Sequence, residues 1–408
     1  MNHIFDPFAS GTIENPYPAL AQLRAAEPVS WNEPLRGWLL TAYDDVKSAQ
    51  KDRRFSAERV KPFTEHMAAT ERPELEQMGA LLNQWLLFRD PPAHTPLRRL
   101  LIDAFTPRAI EALRPRIGEI VEDLLDPLSE RTQFDMIGDF AFPMPATVIA
   151  HILGVPSSDV PKFRAWSNEL ATVIGNSRQA PDRFQRGARA LFTLTDYFRS
   201  TVSSRRARRT KGALIDDLIE ARAANSPMSE EELVASCILI LFAGHETTMN
   251  LIGNATLLLL KNPDQWALLN RDPNLIPSMV EEVLRYECAA FVIVRVANED
   301  IDISGKRISK GDRVFLMLGA ANRDPKHFDD PERFDIRRKP NRHLSFGYGI
   351  HFCIGAQLAR VEAEVAFTHL LPLIKDVELV SGDLDWDDNF VLRGVKSLLL
   401  RRQTAAAA

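Results

Sequence analysis

The sequence predicts a mainly α-helical domain with a small β component, spanning residues 1–408 without a linker. Three observations lead there. From about Pro107 to Ala224 apolar residues recur at three- and four-residue intervals, the period of a helix face. The run MSEEELVASCILILFAGHETTMNLIGNATLLLLKNP is apolar nearly all round, as a helix buried at the centre of a molecule must be. Strand-like alternation, by contrast, comes only in short pieces.

Taken in order, the first hundred residues mix short helical patterns with strand-like pieces such as Gly37 to Thr41. The helical stretch that follows is punctuated by Pro156, Pro161 and Pro181. Within it, Arg205, Arg206, Arg208 and Arg209 read as a solvated loop between two helical patterns. The central helix runs from about Ser229 to Leu260, with Ser229 and Glu232 spaced as a capping box. At 1.5 Å per residue it is roughly 48 Å long, enough to cross the molecule. Gly244, His245, Glu246, Thr247 and Thr248 interrupt its middle. A helix from about Asn274 to Tyr286 is followed by short strands at Val292 to Val296 and Ile301 to Ile308. A stretch rich in Pro and Asp leads to FGYGIHFCIG, a helix over about Ile354 to Leu371 and a strand-like tail.

Hydrophobic residues make up 45% of the 408 and charged residues 26%, the balance of a soluble globular protein. A formal net charge of −5 gives no general attraction to nucleic acid or anionic membrane. Cys237, Cys288 and Cys353 are odd in number and widely spaced, which suits a reducing compartment better than a disulfide framework. The N-terminus lacks a basic segment followed by an apolar one, and no run approaches 18 apolar residues. The expectation is a cytoplasmic protein with no membrane anchor.

Cys353 sits in a glycine-rich turn ahead of a helix. Gly347, Gly349 and Gly355 permit positive φ or close approach of a ligand. The helix N-terminus and its unpaired amides favour a thiolate. A glycine-lined turn presenting a thiolate suits an axial ligand of haem iron. Other readings of the cysteine alone stand beside it. A buried thiol is most often inert core. A zinc site wants further Cys or His ligands at short spacing, and only His351 is near. A nucleophile wants a base and an oxyanion hole. The dinucleotide fingerprint fails because Phe352 stands at the third glycine position.

FGYGIHFCIG resembles the haem-ligand loop of the cytochrome P450 family, with Phe346, Gly349, Cys353 and Gly355 at its defined positions. Further stretches carry the same resemblance in order. Glu282 and Arg285, with Arg333 in Pro331-Glu332-Arg333-Phe334, are similar to the family's structural triad, which implies a role in holding the cysteine loop. Ala243 to Thr248, AGHETT, resembles the oxygen-activation motif. Physically, a threonine hydroxyl that bonds back to a helix carbonyl loosens the helical ladder and opens a notch. The resemblance implies that Thr247 stabilises activated oxygen and that Glu246 relays protons.

His94, Arg98, Arg295 and His351 match positions that bind the haem propionates in similar bacterial proteins. The family's fold places haem b between the central helix and the helix after the cysteine loop. Its activity implies a monooxygenase acting on a lipophilic substrate, with electrons from NAD(P)H through a separate ferredoxin or flavodoxin. Among family members the chain most resembles macrolide- and fatty-acyl-hydroxylating types. The partner is expected on the cysteine side, near Arg99, Arg337, Arg338, Lys339 and Arg342. Pocket positions fall at Trp85, Leu86, Leu241 to Ala243 with Gly244, Ala290 to Ile293 (Val292 and Ile293 above all), Val391 and Leu392. The chain departs from the pattern at Cys288-Ala289, where similar proteins often carry Ser-Pro, so the course of the strand entering the pocket is open. A peroxide-using peroxygenase and a non-catalytic haem sensor are the alternatives.

Overall fold

A computed structural model of the chain describes residues 5–60, 73–175, 182–224, 228–380 and 384–402. Its principal helices are α1 (Tyr17–Ala26), α2 (Tyr43–Ala49), α3 (His94–Ile102), α4 (Pro107–Ser129), α5 (Pro143–Leu153), α6 (Val160–Ile174), α7 (Arg183–Arg208), α8 (Leu214–Ala223), α9 (Glu230–Lys261), α10 (Ile276–Tyr286) and α11 (Ala356–Ile374). The fold class is therefore the mainly helical one that the apolar periodicity predicts. α9 starts as its capping box requires: Ser229 Oγ accepts from Glu232 N at 3.0 Å and the Glu232 carboxylate accepts from Ser229 N at 2.7 Å. Its residues Leu233, Leu241, Ile252 and Leu259 are fully buried, and it packs against α5, α7, α10 and α11.

The strands are short. β1 (Val29–Asn32), β2 (Gly37–Leu40), β3 (Phe55–Ser56), β5 (Val292–Ala297) and β8 (Arg313–Met317) form one sheet in the order β1-β2-β8-β5-β3, with only β2 and β8 parallel. β4 (Gln133–Asp135), β9 (Val377–Leu379) and β10 (Leu399–Arg402) form a second, and β6 (Ile301–Ile303) pairs with β7 (Lys306–Ile308) in a hairpin. Apolar side chains gather into a large helical cluster and a smaller one under the first sheet.

The arginine run departs from its reading as a solvated loop. α7 continues through Arg208, and Arg209 caps it in the left-handed region at φ 51°. Arg205 finds a forked partner in Asp216, at 2.8 and 2.6 Å, and Arg206 reaches Glu230 at 2.7 Å. These distant acids stabilise a helical end that local composition alone does not favour. A π-helical turn at Met136–Ala141, ahead of α5, also lies outside the sequence reading. The stretches Met136–Leu153 and Glu230–Lys261 are long and apolar enough to cross a membrane by length and composition, but 67% and 72% of their apolar windows lie inside the fold.

Two buried ionic knots tie distant segments together. In the first, Arg285 donates to both Glu282 oxygens at 2.8 Å, and both side chains are fully buried. Arg285 also donates to the carbonyls of Asn322, Pro331 and Arg333 at 2.8 to 3.1 Å. Glu282 further accepts from Asp335 N at 2.9 Å, Arg338 Nε at 3.1 Å and Asn341 Nδ2 at 3.1 Å. The triad reading is corrected here: the second guanidinium on Glu282 belongs to Arg338, while the Arg333 side chain is exposed and contributes its carbonyl. The segment turns back on itself between the two arginines, and spacing along the chain does not reveal which one faces inward. In the second knot, Tyr17 and Arg393 both donate to Glu287, and Arg393 also reaches the carbonyls of Ile13 and Glu14 at 2.6 and 2.9 Å.

Candidate active site

The cysteine loop is built from backbone constraints. Gly347 and Gly349 take φ 72° and 75°, and a side chain at Gly349 would meet the Gln50 carbonyl at 2.8 Å. Cys353 N donates to Phe346 O at 2.8 Å, which closes the turn. Asn322, whose carbonyl is held by Arg285, bonds Leu344 N at 2.7 Å and Ser345 Oγ at 2.8 Å. The buried knot thus positions the loop through one asparagine. The Phe346 ring lies beneath the Arg360 guanidinium, 4.5 Å from its centroid.

Cys353 opens onto a cavity of about 290 Å³ whose wall also carries Leu86, Ile149, Ala243, Gly244, Thr247, Ile293, Phe346, His351 and Glu362. Cys353 is exposed, and it is part of the cavity wall. Burial pushes the thiol up, against the Gly355 amide and the Arg98 and Arg360 charges, which pull it down. The helix begins only at Ala356, so its dipole does not by itself make a thiolate, as the sequence reading expected. A bound metal ion would do so outright.

The middle of α9 forms another wall. Thr247 Oγ1 donates back to Ala243 O at 3.0 Å, the bond expected to loosen the helix there. Gly244 admits Ile149 of α5, whose Cδ1 would lie 2.5 Å from a Cβ. Glu246 is buried but off the cavity wall, with Oε1 unpartnered among the described residues and 3.5 Å from His245 Nε2. His245 Nδ1 donates to Leu241 O at 2.6 Å.

The four expected propionate partners fall in one region. The His94 and His351 rings are 4.4 Å apart, and the Nε2 atom of each is buried without a partner among the described residues. Burial, with His351 and Arg98 nearby, pulls His94 down to about 4, and burial also lowers His351. Arg98 lines the cavity and donates to Phe352 O at 2.6 Å. Arg295 is buried on β5 with one bond to Val294 O at 3.0 Å. A thiol in a glycine turn, unsatisfied imidazoles and buried guanidiniums are what an iron porphyrin with two carboxylates needs, so these residues fit haem. No cluster of three or more His, Cys, Asp or Glu side chains able to hold a metal ion occurs among the described residues.

Of the expected pocket residues, Leu86, Ala243, Gly244 and Ile293 reach the wall, and Trp85, Val292, Val391 and Leu392 do not. Trp85 is fully buried against Phe88 and Phe242. Val292 points to the opposite face of β5 from Ile293, as strand alternation requires, and packs in the sheet core. The carbonyl of Val391 accepts from Phe291 N and Val292 N, and Leu392 bridges Ala290, which leaves both half-buried beside the pocket. Ala289 and Ala290 line the cavity after Cys288 turns into the sheet core. Arg338, expected on a docking face, is withdrawn into the Glu282 knot.

Glu362 was not among the sequence candidates. It is fully buried on α11, lines the cavity, and neither oxygen has a partner among the described residues. Burial pushes its carboxyl well above the usual range, with only the neighbouring Thr248 hydroxyl opposing. The signal was present: Glu362 falls in the stripe of Leu358, Val361 and Val365, where an apolar residue is expected.

The family model for cytochrome P450 matches residues 38–271 and 273–373. Cytochrome P450 107B1 of Saccharopolyspora erythraea is 41% identical over 386 residues, 92% of each chain. The crystal structure of P450BioI in complex with an acyl carrier protein ligated to hexadec-9Z-enoic acid superposes with a TM-score of 0.89 at 38% identity, covering 97% of this chain and 99% of that one. A myxobacterial relative in complex with myristic acid gives a TM-score of 0.89 at 36% identity, covering 98% and 99%.

Proposed function

The chain belongs to the cytochrome P450 family of haem oxidoreductases, and from that premise we propose a haem-thiolate monooxygenase that hydroxylates a lipophilic substrate with a long apolar chain. The observation that carries this reading is the meeting of Cys353, Thr247 and Glu362 on one largely apolar cavity. When bound, haem supplies activation of dioxygen and transfer of one oxygen atom into a C–H bond.

The chain's own residues set the conditions. Cys353 would ligate the iron, and His94, Arg98, Arg295 and His351 would hold the propionates. The Thr247 hydroxyl, already turned to Ala243 O, presents a hydrogen-bond donor at the notch in α9. Glu362, kept neutral by burial, holds a proton at the cavity wall beside Thr248. Glu246, with Oε1 3.5 Å from His245 Nε2, passes protons toward the cavity. Leu86, Leu87, Ile149, Leu239 and Ile240 exclude water and favour an alkyl chain. The fatty-acyl ligands of the two solved relatives support that substrate class.

Electrons come from NAD(P)H through a separate ferredoxin or flavodoxin, in a cytoplasmic setting. The exposed cations Arg99, Arg337, Lys339 and Arg342 supply positive charge for docking.

The test is the carbon-monoxide difference spectrum of the reduced protein beside Cys353→Ser. A Soret band far to the red, lost in the variant, supports thiolate ligation; an imidazole-like band in both proteins sinks it. Thr247→Ala separates the oxygenase from a peroxygenase: in the former it diverts electrons into free peroxide, in the latter it changes nothing.

A further inference from the structure

Arg59 lies outside every role so far assigned. It follows β3, with its guanidinium 5.0 Å from the centroid of the Phe88 ring. Its Nη1 points to Val294 O at 3.4 Å, the same carbonyl that accepts from Arg295 Nη1 at 3.0 Å. Two guanidiniums therefore converge on one oxygen atom. Arg295 is only 6% exposed, and Arg59 is half-buried.

No carboxylate pairs with either arginine among the described residues. The acid whose charge reaches Arg295 is Asp90. That carboxylate is already committed to the Ser56 hydroxyl and to Ala57 N at 3.1 Å, with His351 Nε2 4.0 Å away. Each guanidinium carries five donors, and one carbonyl with two lone pairs cannot satisfy them. Burial, together with the neighbouring Arg295, pushes Arg59 down to about 9, and burial takes Arg295 to about 10. Like charges this close are unfavourable in a protein interior unless an anion joins them.

We propose that Arg59 and Arg295 together bind one carboxylate, with Arg59 as a partner additional to the four propionate residues. The proposal rests on the monooxygenase reading. Neither arginine lines the cavity, but His351, whose charge Arg295 feels, does, so the carboxylate would come from one of two sources there: a haem propionate or the acid end of an alkyl-chain substrate. In both cases the planar fork of Arg59, braced on Phe88, would meet it by paired hydrogen bonds.

The experiment uses the haem-loaded protein and compares wild type, Arg59→Met and Arg59→Lys. One measurement is the rate of haem loss to apomyoglobin. The other is the spin-state titration with myristic acid and with its methyl ester. If the carboxylate is a propionate, Arg59→Met releases haem faster by on the order of tenfold or more, with Arg59→Lys between, and the acid-to-ester preference is unchanged. If it belongs to the substrate, haem loss is unchanged and the preference for acid over ester falls by about tenfold. Arg59→Lys keeps the charge without the fork and so guards against a folding defect in the methionine variant. Wild-type values in both measurements for Arg59→Met overturn the proposal. A wild-type protein lacking the red-shifted carbon-monoxide band overturns the monooxygenase reading instead, while the haem-loss comparison still reports on Arg59.

Discussion

Glu282 and Glu362 are both fully buried carboxyls on helices, and their surroundings are opposite. Glu282 on α10 is saturated: two guanidiniums, one amide side chain and one backbone N–H donate to it. Glu362 on α11 faces the cavity with neither oxygen paired among the described residues. The same division holds around each. The knot leaves no donor of Arg285 aimed at empty space, whereas the cavity region leaves the Nε2 atoms of His94 and His351, and Arg59 beside Arg295, short of partners. Buried polar groups cost stability unless satisfied. Saturation marks charge kept for architecture; deficit marks charge kept for a ligand or a proton.

The comparison is broken most forcefully at the knot. Glu282→Ala leaves Arg285 and Arg338 buried and uncompensated, at a cost of about 3–5 kcal/mol from a total stability of about 5–15 kcal/mol. The expected outcome is little folded protein at 37 °C, measured by soluble yield and thermal unfolding; a wild-type Tm would mean the knot is dispensable. Within it, Arg338→Ala should cost about 2 kcal/mol and Arg333→Ala less than about 0.5 kcal/mol, because only the first removes a donor from Glu282. Equal Tm values for the two variants would restore Arg333 as the third member.

At the cavity the sign reverses. Glu362→Gln replaces a neutral acid with a neutral amide, so stability should change by less than about 1 kcal/mol while coupled product formation falls roughly tenfold or more. Unchanged coupling of NAD(P)H consumption to product would remove Glu362 from the proton path. The smallest effect is expected at Asp387, a residue exposed to solvent whose carboxyl partial desolvation, with Asp388 and Glu246 nearby, raises to about 6. A raised carboxyl favours the fold below its unfolded value, near 3.9, and that advantage is lost as pH rises through about 6. Asp387→Asn should therefore raise Tm by about 2 °C at most at pH 7.5 and leave it unchanged at pH 4. A larger gain at pH 4 would reverse the assignment.

What was legible in the sequence was what local pattern controls. The capping box and all-round apolarity of α9, the glycines around Cys353 and the back-bonding Thr247 each follow from a few neighbouring residues. What escaped depends on contacts made across the chain. Arg338 rather than Arg333 meets Glu282 because of how a loop folds back, and Arg205 keeps α7 helical by finding Asp216. Val292 and Ile293 were both expected at the cavity and only Ile293 lines it, because neighbouring residues of a strand face opposite sides. Glu362 was passed over as an ordinary helix glutamate, although its place in an apolar stripe marked it.

The knot at Glu287 has a consequence for biosynthesis. Tyr17 and Arg393 meet there from positions 270 residues before it and 106 residues after it. Likewise β2 waits for β8, whose Val314 to Leu316 lie opposite Trp38 to Leu40. At about 5–20 residues per second, the chain is under synthesis for roughly 20–80 s before both are available. The first sheet therefore completes only after Met317 has emerged, and the knot that holds Tyr17 only after Arg393 has. Cys353 emerges late as well, so the haem capture proposed for it would follow synthesis of the first 353 residues.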